Sequence, residues 1–154
     1  MPLFYDDLEP GQVFTTPARS LTETDLVSFA MLTGDWNQIH TDKEFAKGTM
    51  YGKPVVHGLF CVVMMTGLLE RSGLFSGSAM AMLGVDKWTF HAPVFVGDTL
   101  HATVEIVSKR LTSRGDRGIV DRRFTLVNQD GVAVQSGHLG LMIRMAPQVA
   151  AVDA

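Results

Sequence analysis

The spacing of hydrophobic positions changes from a helical period to an alternating one about half way along the chain. Between Leu26 and Thr33 apolar side chains recur three and four residues apart, which predicts a helix with one apolar stripe. Thr22 can cap its start and Gly34 can end it. Before this helix, residues 13–15 are typical of a short strand.

A second helix is predicted at residues 57–71, and it is apolar on nearly all faces. A helix of this kind is normally surrounded by protein. Its apolar run, residues 55–69, is 15 residues long, whereas a bilayer requires about 20. We therefore expect a buried core helix and no membrane span. A shorter turn of helix is predicted between the two, at residues 42–47.

The second half of the chain is typical of strands. Apolar and polar residues alternate over residues 100–106 and again over 120–126, as in half-buried strands. Asp130-Gly131 is a two-residue hairpin signal, and residues 132–145 would form a long return strand. Residues 80–96 are predicted to be extended, with a break near Pro93.

This order of elements predicts an α+β fold in which a curved antiparallel sheet wraps around one buried central helix. A single domain would cover residues 1–146, followed by a frayed tail at 147–154. Such a sheet leaves an edge and part of one face uncovered, and we therefore expect a homodimer.

Composition narrows the range of partners. The 154 residues carry a net charge of −3, with no cluster of Lys or Arg, so a nucleic-acid surface is not expected. The single cysteine, Cys61, cannot form an internal disulfide and is expected to be a buried, inert thiol. The acidic N-terminus does not resemble a secretory signal, and we expect a cytoplasmic protein.

Candidate acid–base chemistry follows the first helix directly, in the segment D-W-N-Q-I-H at residues 35–40. Asp35 and His40 can converge if the chain turns between them, and Asn37 is a natural turn former. An Asp and a His that share one water can take its proton and return one. From the spacing alone, a simple turn with a surface histidine is the favoured interpretation.

A second segment, residues 53–58, leads into the apolar helix. Gly58 lies near the helix start, where the lack of a side chain lets a ligand approach the backbone. A free amide at a helix N-terminus can stabilise the negative charge that a carbonyl oxygen of a ligand develops. A glycine selected for tight helix–sheet packing is the alternative.

Together these segments resemble the MaoC-like family, which includes the (R)-specific enoyl-CoA hydratases and is built on the hot-dog fold. The family pattern is D-x-N-P-apolar-H, followed by P-apolar-apolar-H-G at the start of the central helix. This chain matches it at residues 34–40 and 54–58, and residues 92–99 resemble the family's strand and turn. Gln38 departs from the pattern, because the family usually has Pro after the Asn.

The resemblance implies a set of roles. Asp35 and His40 would activate water as a pair, and Gly58 would donate to the thioester carbonyl. A hydroxyl that supports the Asp would come from Thr66, which lies on the same helix face as Gly58, unless that hydroxyl bonds back to its own helix.

The implied reaction is addition of water to a trans-2-enoyl thioester to give the (3R)-hydroxyacyl thioester, or the reverse dehydration, in fatty acid metabolism. No metal and no redox cofactor would be required. Coenzyme A, or an acyl carrier protein, would carry the acyl group of the substrate.

Two alternatives stay open. An acyl-CoA thioesterase would use the same fold, although a lone thioesterase carboxylate does not explain His40. A non-catalytic acyl-CoA-binding subunit would be expected to lose Asp35 or His40, and this chain keeps both. The sequence does not define the acyl chain, and it does not distinguish among the basic residues that could bind CoA phosphates: Lys53, Lys87, Arg110, Arg114, Arg117, Arg122 and Arg123.

Overall fold

A computed structural model describes residues 1–147 of the chain. The helices are α1 (Glu23–Thr33), α2 (Gln38–Thr41), α3 (Lys43–Lys47) and α4 (Gly58–Ser72), preceded by a 3-10 turn at Tyr5–Asp7. The strands are β1 (Val13–Thr15), β2 (Arg19–Ser20), β3 (Ala79–Phe90), β4 (Thr99–Leu111), β5 (Arg117–Val127) and β6 (Ala133–Arg144). Apart from Pro147, the tail predicted at residues 147–154 lies outside the described residues.

The strands form one antiparallel sheet in the order β1-β4-β5-β6-β3, and β2 pairs with β4 beside it. Alternate residues of β4 and β5 are buried, as their sequence pattern predicts. They pack against α4, where Met65 and Leu68 share one hydrophobic cluster with Val104 and Phe124. The predicted α+β architecture, a sheet packed around a central helix, is confirmed.

Local signals define the bounds of α1 as predicted. The Thr22 side chain accepts a hydrogen bond from the Asp25 amide, and the Asp25 carboxylate accepts one from the Thr22 amide. Gly34 ends the helix in a left-handed conformation, with φ of 75°. This conformation is the one that favours glycine. The chain therefore leaves α1 in a fixed direction, toward residues 35–40.

Helix α4 is less enclosed than its composition predicts. Met65 and Leu68 are buried, but Leu59 and Val63 are 65% and 59% exposed. Successive turns thus present an apolar stripe to the outside of this single chain. No helix among residues 1–147 is long and apolar enough to cross a membrane.

Two segments between the regular elements differ from the prediction. The β5–β6 connection spans residues 128–132 rather than two residues, because the Asn128 side chain accepts hydrogen bonds from the amides of Asp130 and Val132. Residues 92–98 are not a strand. They form an irregular segment whose Val94 carbonyl accepts a hydrogen bond from the Val56 amide at 2.8 Å.

Candidate active site

Asp35 lies just beyond the end of α1, where the chain turns away from the helix. Its side chain is 52% exposed, and its Oδ1 accepts a hydrogen bond from the Asn37 amide at 3.3 Å. The Asn37 side chain in turn accepts a hydrogen bond from the Ile39 amide at 3.1 Å. Asn37 therefore restrains both the carboxylate and the next turn of the chain.

His40 lies on the short helix α2 rather than in an open loop, because Asn37 caps a complete helical turn at this point. Its Nδ1 lies 2.7 Å from the Val55 carbonyl oxygen. A carbonyl oxygen only accepts hydrogen bonds, so Nδ1 carries the hydrogen. In the neutral imidazole Nε2 is then an acceptor, and it lies 4.0 Å from Oδ2 of Asp35.

The gap between Asp35 and His40 has the dimensions of a site for one water. A separation of 4.0 Å is too long for a direct hydrogen bond, but one water oxygen can lie about 2.8 Å from both atoms. Since both atoms are acceptors, such a water would donate its two hydrogens to them. A water held in this way is oriented to lose a proton.

Two hydrogen bonds join α2 to the segment that leads into α4. The Val55 amide donates to the Ile39 carbonyl at 3.1 Å, and His40 Nδ1 donates to the Val55 carbonyl. The acid–base pair and the start of α4 are therefore fixed relative to each other, although they are separated along the sequence.

Gly58 is the first residue of α4, and the amide of a first helical residue has no partner within its own helix. A Cβ at this position would lie 2.6 Å from Cε1 of Phe90, so only glycine fits beside the ring as it lies. The Gly58 backbone is therefore open to a ligand on one side and covered by an aromatic ring on the other.

A buried amide side chain holds the peptide that follows Gly58. Gln135 Nε2 donates to the Gly58 carbonyl at 3.1 Å, and Gln135 Oε1 accepts a hydrogen bond from Trp88 Nε1 at 3.0 Å. Sequence reasoning missed Gln135, Trp88 and Phe90. The available signal was Gln135 itself, an amide residue that directly follows the apolar residues 132–134 in a predicted strand and that can be buried well only when it is hydrogen-bonded.

Two cavities meet at His40, Gly58 and Leu59. The larger has a volume of about 470 Å³ and extends past Phe90 and Gln135. The smaller, of about 240 Å³, also contains Asp35 and continues between α1 and α4. The predicted residues Asp35, His40 and Gly58 thus surround one space, with room for a ligand on either side of the pair.

Thr66 does not join this group. Its hydroxyl donates to the Val63 carbonyl at 2.7 Å, and the side chain lies on the exposed face of α4. Among residues 1–147 it makes no hydrogen bond to Asp35. The predicted supporting role of Thr66 therefore has no contact within the single chain, because the hydroxyl is occupied by its own helix.

Other predicted features are located as follows. Cys61 is fully buried, and burial raises the pKa of its thiol to about 12, as expected for an inert cysteine.

Lys53 lines a third cavity, of about 270 Å³, that also reaches His40. Its Nζ lies 4.3 Å from the centre of the Phe95 ring.

One cluster could attract a metal ion. Ligand atoms of Asp35, His40 and His57 lie within 4.8 Å of one another. However, His57 Nε2 lies 3.0 Å from the Asp35 main-chain carbonyl oxygen, so that nitrogen carries a hydrogen and is not free to ligate. Two free ligand atoms remain, fewer than the three protein ligands of a catalytic zinc.

The fold matches known structures over nearly the whole chain. A conserved hypothetical protein from Mycobacterium tuberculosis with a double hot-dog fold superposes with a TM-score of 0.83, at 22% identity, over 96% of this chain and 46% of that one. At that level of identity the match concerns the fold alone, and it confirms the predicted hot-dog fold.

Sequence comparisons agree with the geometry. The (R)-specific enoyl-CoA hydratase of Aeromonas caviae is 32% identical over 131 residues, which cover 85% of this chain and 92% of the relative. Protein MaoC of Klebsiella aerogenes is 36% identical over 114 residues, which cover 74% of this chain and a third (33%) of that longer protein. A family model described as the MaoC like domain matches residues 7–127, and the chain therefore belongs to the MaoC-like domain family.

Proposed function

We propose that this protein is a hydro-lyase that adds water to a trans-2-enoyl thioester to give the (3R)-hydroxyacyl thioester, or catalyses the reverse dehydration. One observation carries the proposal: Asp35 Oδ2 and His40 Nε2 face each other at 4.0 Å beside cavities that the Gly58 backbone also lines. Membership in the MaoC-like family supports hydro-lyase chemistry on enoyl thioesters. The relative from Aeromonas caviae is named for this hydration.

The proposed reaction balances without a metal or a redox cofactor. Water held between Asp35 and His40 would add to C3 of the substrate while one member of the pair takes up its proton. Electrons of the C2–C3 double bond would move toward the thioester carbonyl, and the Gly58 amide would donate to its oxygen. A proton returned to C2 completes the addition of H and OH.

Coenzyme A or an acyl carrier protein would carry the acyl group. Among the basic residues considered for the CoA phosphates, we favour Lys53, because its side chain borders a cavity that reaches His40. Arg122 is unsuitable, since it is 4% exposed and donates to the Leu139 carbonyl. A cytoplasmic location stays a prediction.

We further propose a homodimer built on β3 and the exposed stripe of α4. Strand β3 lies at the edge of the sheet and pairs only with β6 among the described strands. Both of its faces are largely exposed, including several large apolar side chains: Met80, Met82, Leu83, Val85 and Phe90. Free edges and exposed apolar patches are normally covered. A second copy would cover β3 and α4 together, and would enclose the cavity beside Phe90.

The test of the reaction is a crotonyl-CoA assay that follows loss of enoyl absorbance. We expect activity in the unaltered protein, and a loss of about 10²–10⁴-fold in Asp35→Asn and in His40→Gln, because each removes a proton-transfer group. Asp130→Asn and His101→Gln are matched controls outside the cavities and should keep full activity.

Equal activity in all five proteins would refute the assigned roles. No turnover with a panel of enoyl thioesters of different chain length would refute the hydration itself. Release of free thiol from saturated acyl-CoA would instead identify a thioesterase.

A further inference from the structure

His57 is a buried residue that the proposed chemistry does not use. Its side chain is 3% exposed, and it occupies the N-cap position of α4 without a side-chain capping hydrogen bond. Its polar and stacking contacts lead instead toward Asp35 and His40.

The first contact fixes the main chain of Asp35. His57 Nε2 lies 3.0 Å from the Asp35 carbonyl oxygen and 3.9 Å from the nearer carboxylate oxygen. The hydrogen bond therefore goes to the backbone and leaves the carboxylate free. The Asn37 amide donates to Oδ1 of the carboxylate, so Asn37 restrains the carboxylate while His57 restrains the backbone that carries it.

The second contact fixes the ring of His40. The His57 and His40 rings are stacked, with centroids 3.8 Å apart and planes inclined at 25°. The edge of Phe29 packs against His57, with ring centroids 5.2 Å apart. Val55 already holds His40 at Nδ1, and the stacked ring prevents rotation about that hydrogen bond.

The third observation is an unsatisfied atom. His57 Nδ1 is buried and has no hydrogen-bond partner among residues 1–147. A buried polar atom of this kind destabilises a fold and is rare in native proteins. An apolar side chain would avoid this penalty, so the presence of histidine points to a use of its other nitrogen and its flat ring.

We infer that His57 is a positioning residue for the Asp35–His40 pair: it holds the Asp35 backbone through Nε2 and the His40 ring through stacking. This inference rests on the proposed hydration for its effect on rate. His57 does not touch the reacting atoms and transfers no proton. Its effect is to keep Asp35 Oδ2 and His40 Nε2 at the separation that one water can bridge.

The test compares His57→Gln with His57→Met. Both side chains have a similar length and volume, but only the glutamine amide can donate to the Asp35 carbonyl. We expect kcat of His57→Met to fall about 10²-fold, the effect of a displacement of about 1 Å in a catalytic group. KM should stay close to the wild-type value, since substrate contacts are unchanged. His57→Gln should recover part of the loss, because it keeps a donor for the Asp35 carbonyl but not the stacked ring.

A second readout does not depend on turnover. In ¹⁵N-histidine-labelled protein, the ring signals of His40, assigned by comparison with His40→Gln, should show a single tautomer with hydrogen on Nδ1. His57→Met and His57→Gln both lack the stacked ring, so both should broaden or average these signals. Thermal unfolding of each variant checks that it is folded, and His57→Leu replaces the methionine variant if that one is not.

The outcomes separate the two proposals. Unchanged kcat in His57→Met would overturn the positioning role. Equal losses of kcat in the glutamine and methionine variants would overturn the part assigned to the Asp35 hydrogen bond, and unchanged His40 signals in both variants would overturn the part assigned to stacking. An inactive wild-type protein would refute the proposed hydration, while the His40 signals would still decide whether His57 holds the ring.

Discussion

Asn37 shows how one side chain can organise a site without entering the chemistry. Asn37→Ala removes the acceptor for the Ile39 amide, and loss of such a cap costs about 0.5–2 kcal/mol of stability. Because α2 carries His40, we expect kcat to fall in this variant. Asn37→Ser keeps a capping oxygen and should fall less. Steady-state kinetics with crotonyl-CoA and thermal unfolding measure both effects, and wild-type kcat in Asn37→Ala would contradict the organising role.

Gly58 and Phe90 form a steric pair. In Gly58→Ala the new methyl group would meet the Phe90 ring at 2.6 Å. The Phe90 ring, which lines the cavity, must shift to make room, and we expect the cavity to narrow and KM to rise. The double variant Gly58→Ala/Phe90→Ala should recover part of the loss.

A double-mutant cycle on kcat/KM measures this coupling. Additive effects of the two substitutions would show that the ring and the glycine act independently. Phe60→Ala serves as the control. Phe60 packs against Phe29, and its removal should not rescue Gly58→Ala.

At the scale of elements, the start of α1 depends on charge. Burial raises the pKa of Asp25, but hydrogen bonds from Thr22 and Arg19 outweigh it, so the net pKa lies below the usual 3.8. The folded pKa is thus below the unfolded one. The stabilisation is present above the unfolded pKa and is lost as pH falls through the folded one.

We therefore expect Asp25→Asn to reduce the free energy of unfolding more at pH 7 than at pH 3. Urea titrations of wild type and variant at both pH values measure the difference. Asp130→Asn, in the β5–β6 connection, is the control. A pH-independent effect of Asp25→Asn would mean that the carboxylate charge does not hold the helix start.

The elements that sequence predicts well are those with local causes. Thr22 and Gly34 define α1 through hydrogen bonds and backbone angles within a few residues. Asn37 likewise predicts the turn at the site. The prediction for the β5–β6 connection was wrong because the Asn128 side chain bonds the amides of Asp130 and Val132 in place of strand pairing. In the sequence pattern the Asp-Gly pair is the stronger local signal, and it favours a two-residue turn.

The parts of the site that sequence could not predict are contacts between distant segments. Gln135 reaches the Gly58 carbonyl across 77 positions of the chain, and Phe90 covers Gly58 from another strand. Hydrophobic periodicity also does not indicate which apolar side chains of α4 meet this chain and which face outward. Only the packed fold distinguishes Met65 from Val63.

At the scale of the whole molecule, the proposed homodimer is tested by its surface. Val63→Asp places a charge in the exposed stripe of α4, and should convert the dimer into monomers, as measured by size-exclusion chromatography with light scattering. Leu111→Asp changes a comparably exposed apolar residue outside that surface and should leave the mass unchanged. A monomeric wild-type protein, or an unaffected Val63→Asp dimer, would contradict the proposed interface.

The link between Ile39 and Val55 has a consequence for how this site tolerates change in evolution. The two residues close the neck of a loop that contains α3. Asp35 and Gly58 lie outside that neck, and His40 is the first residue inside it, where its Nδ1 donates to the Val55 carbonyl. Insertions or deletions within the loop therefore alter what borders the cavity without altering the distance between the reacting groups. Substrate size can diverge through loop length, while the chemistry at the neck stays constant.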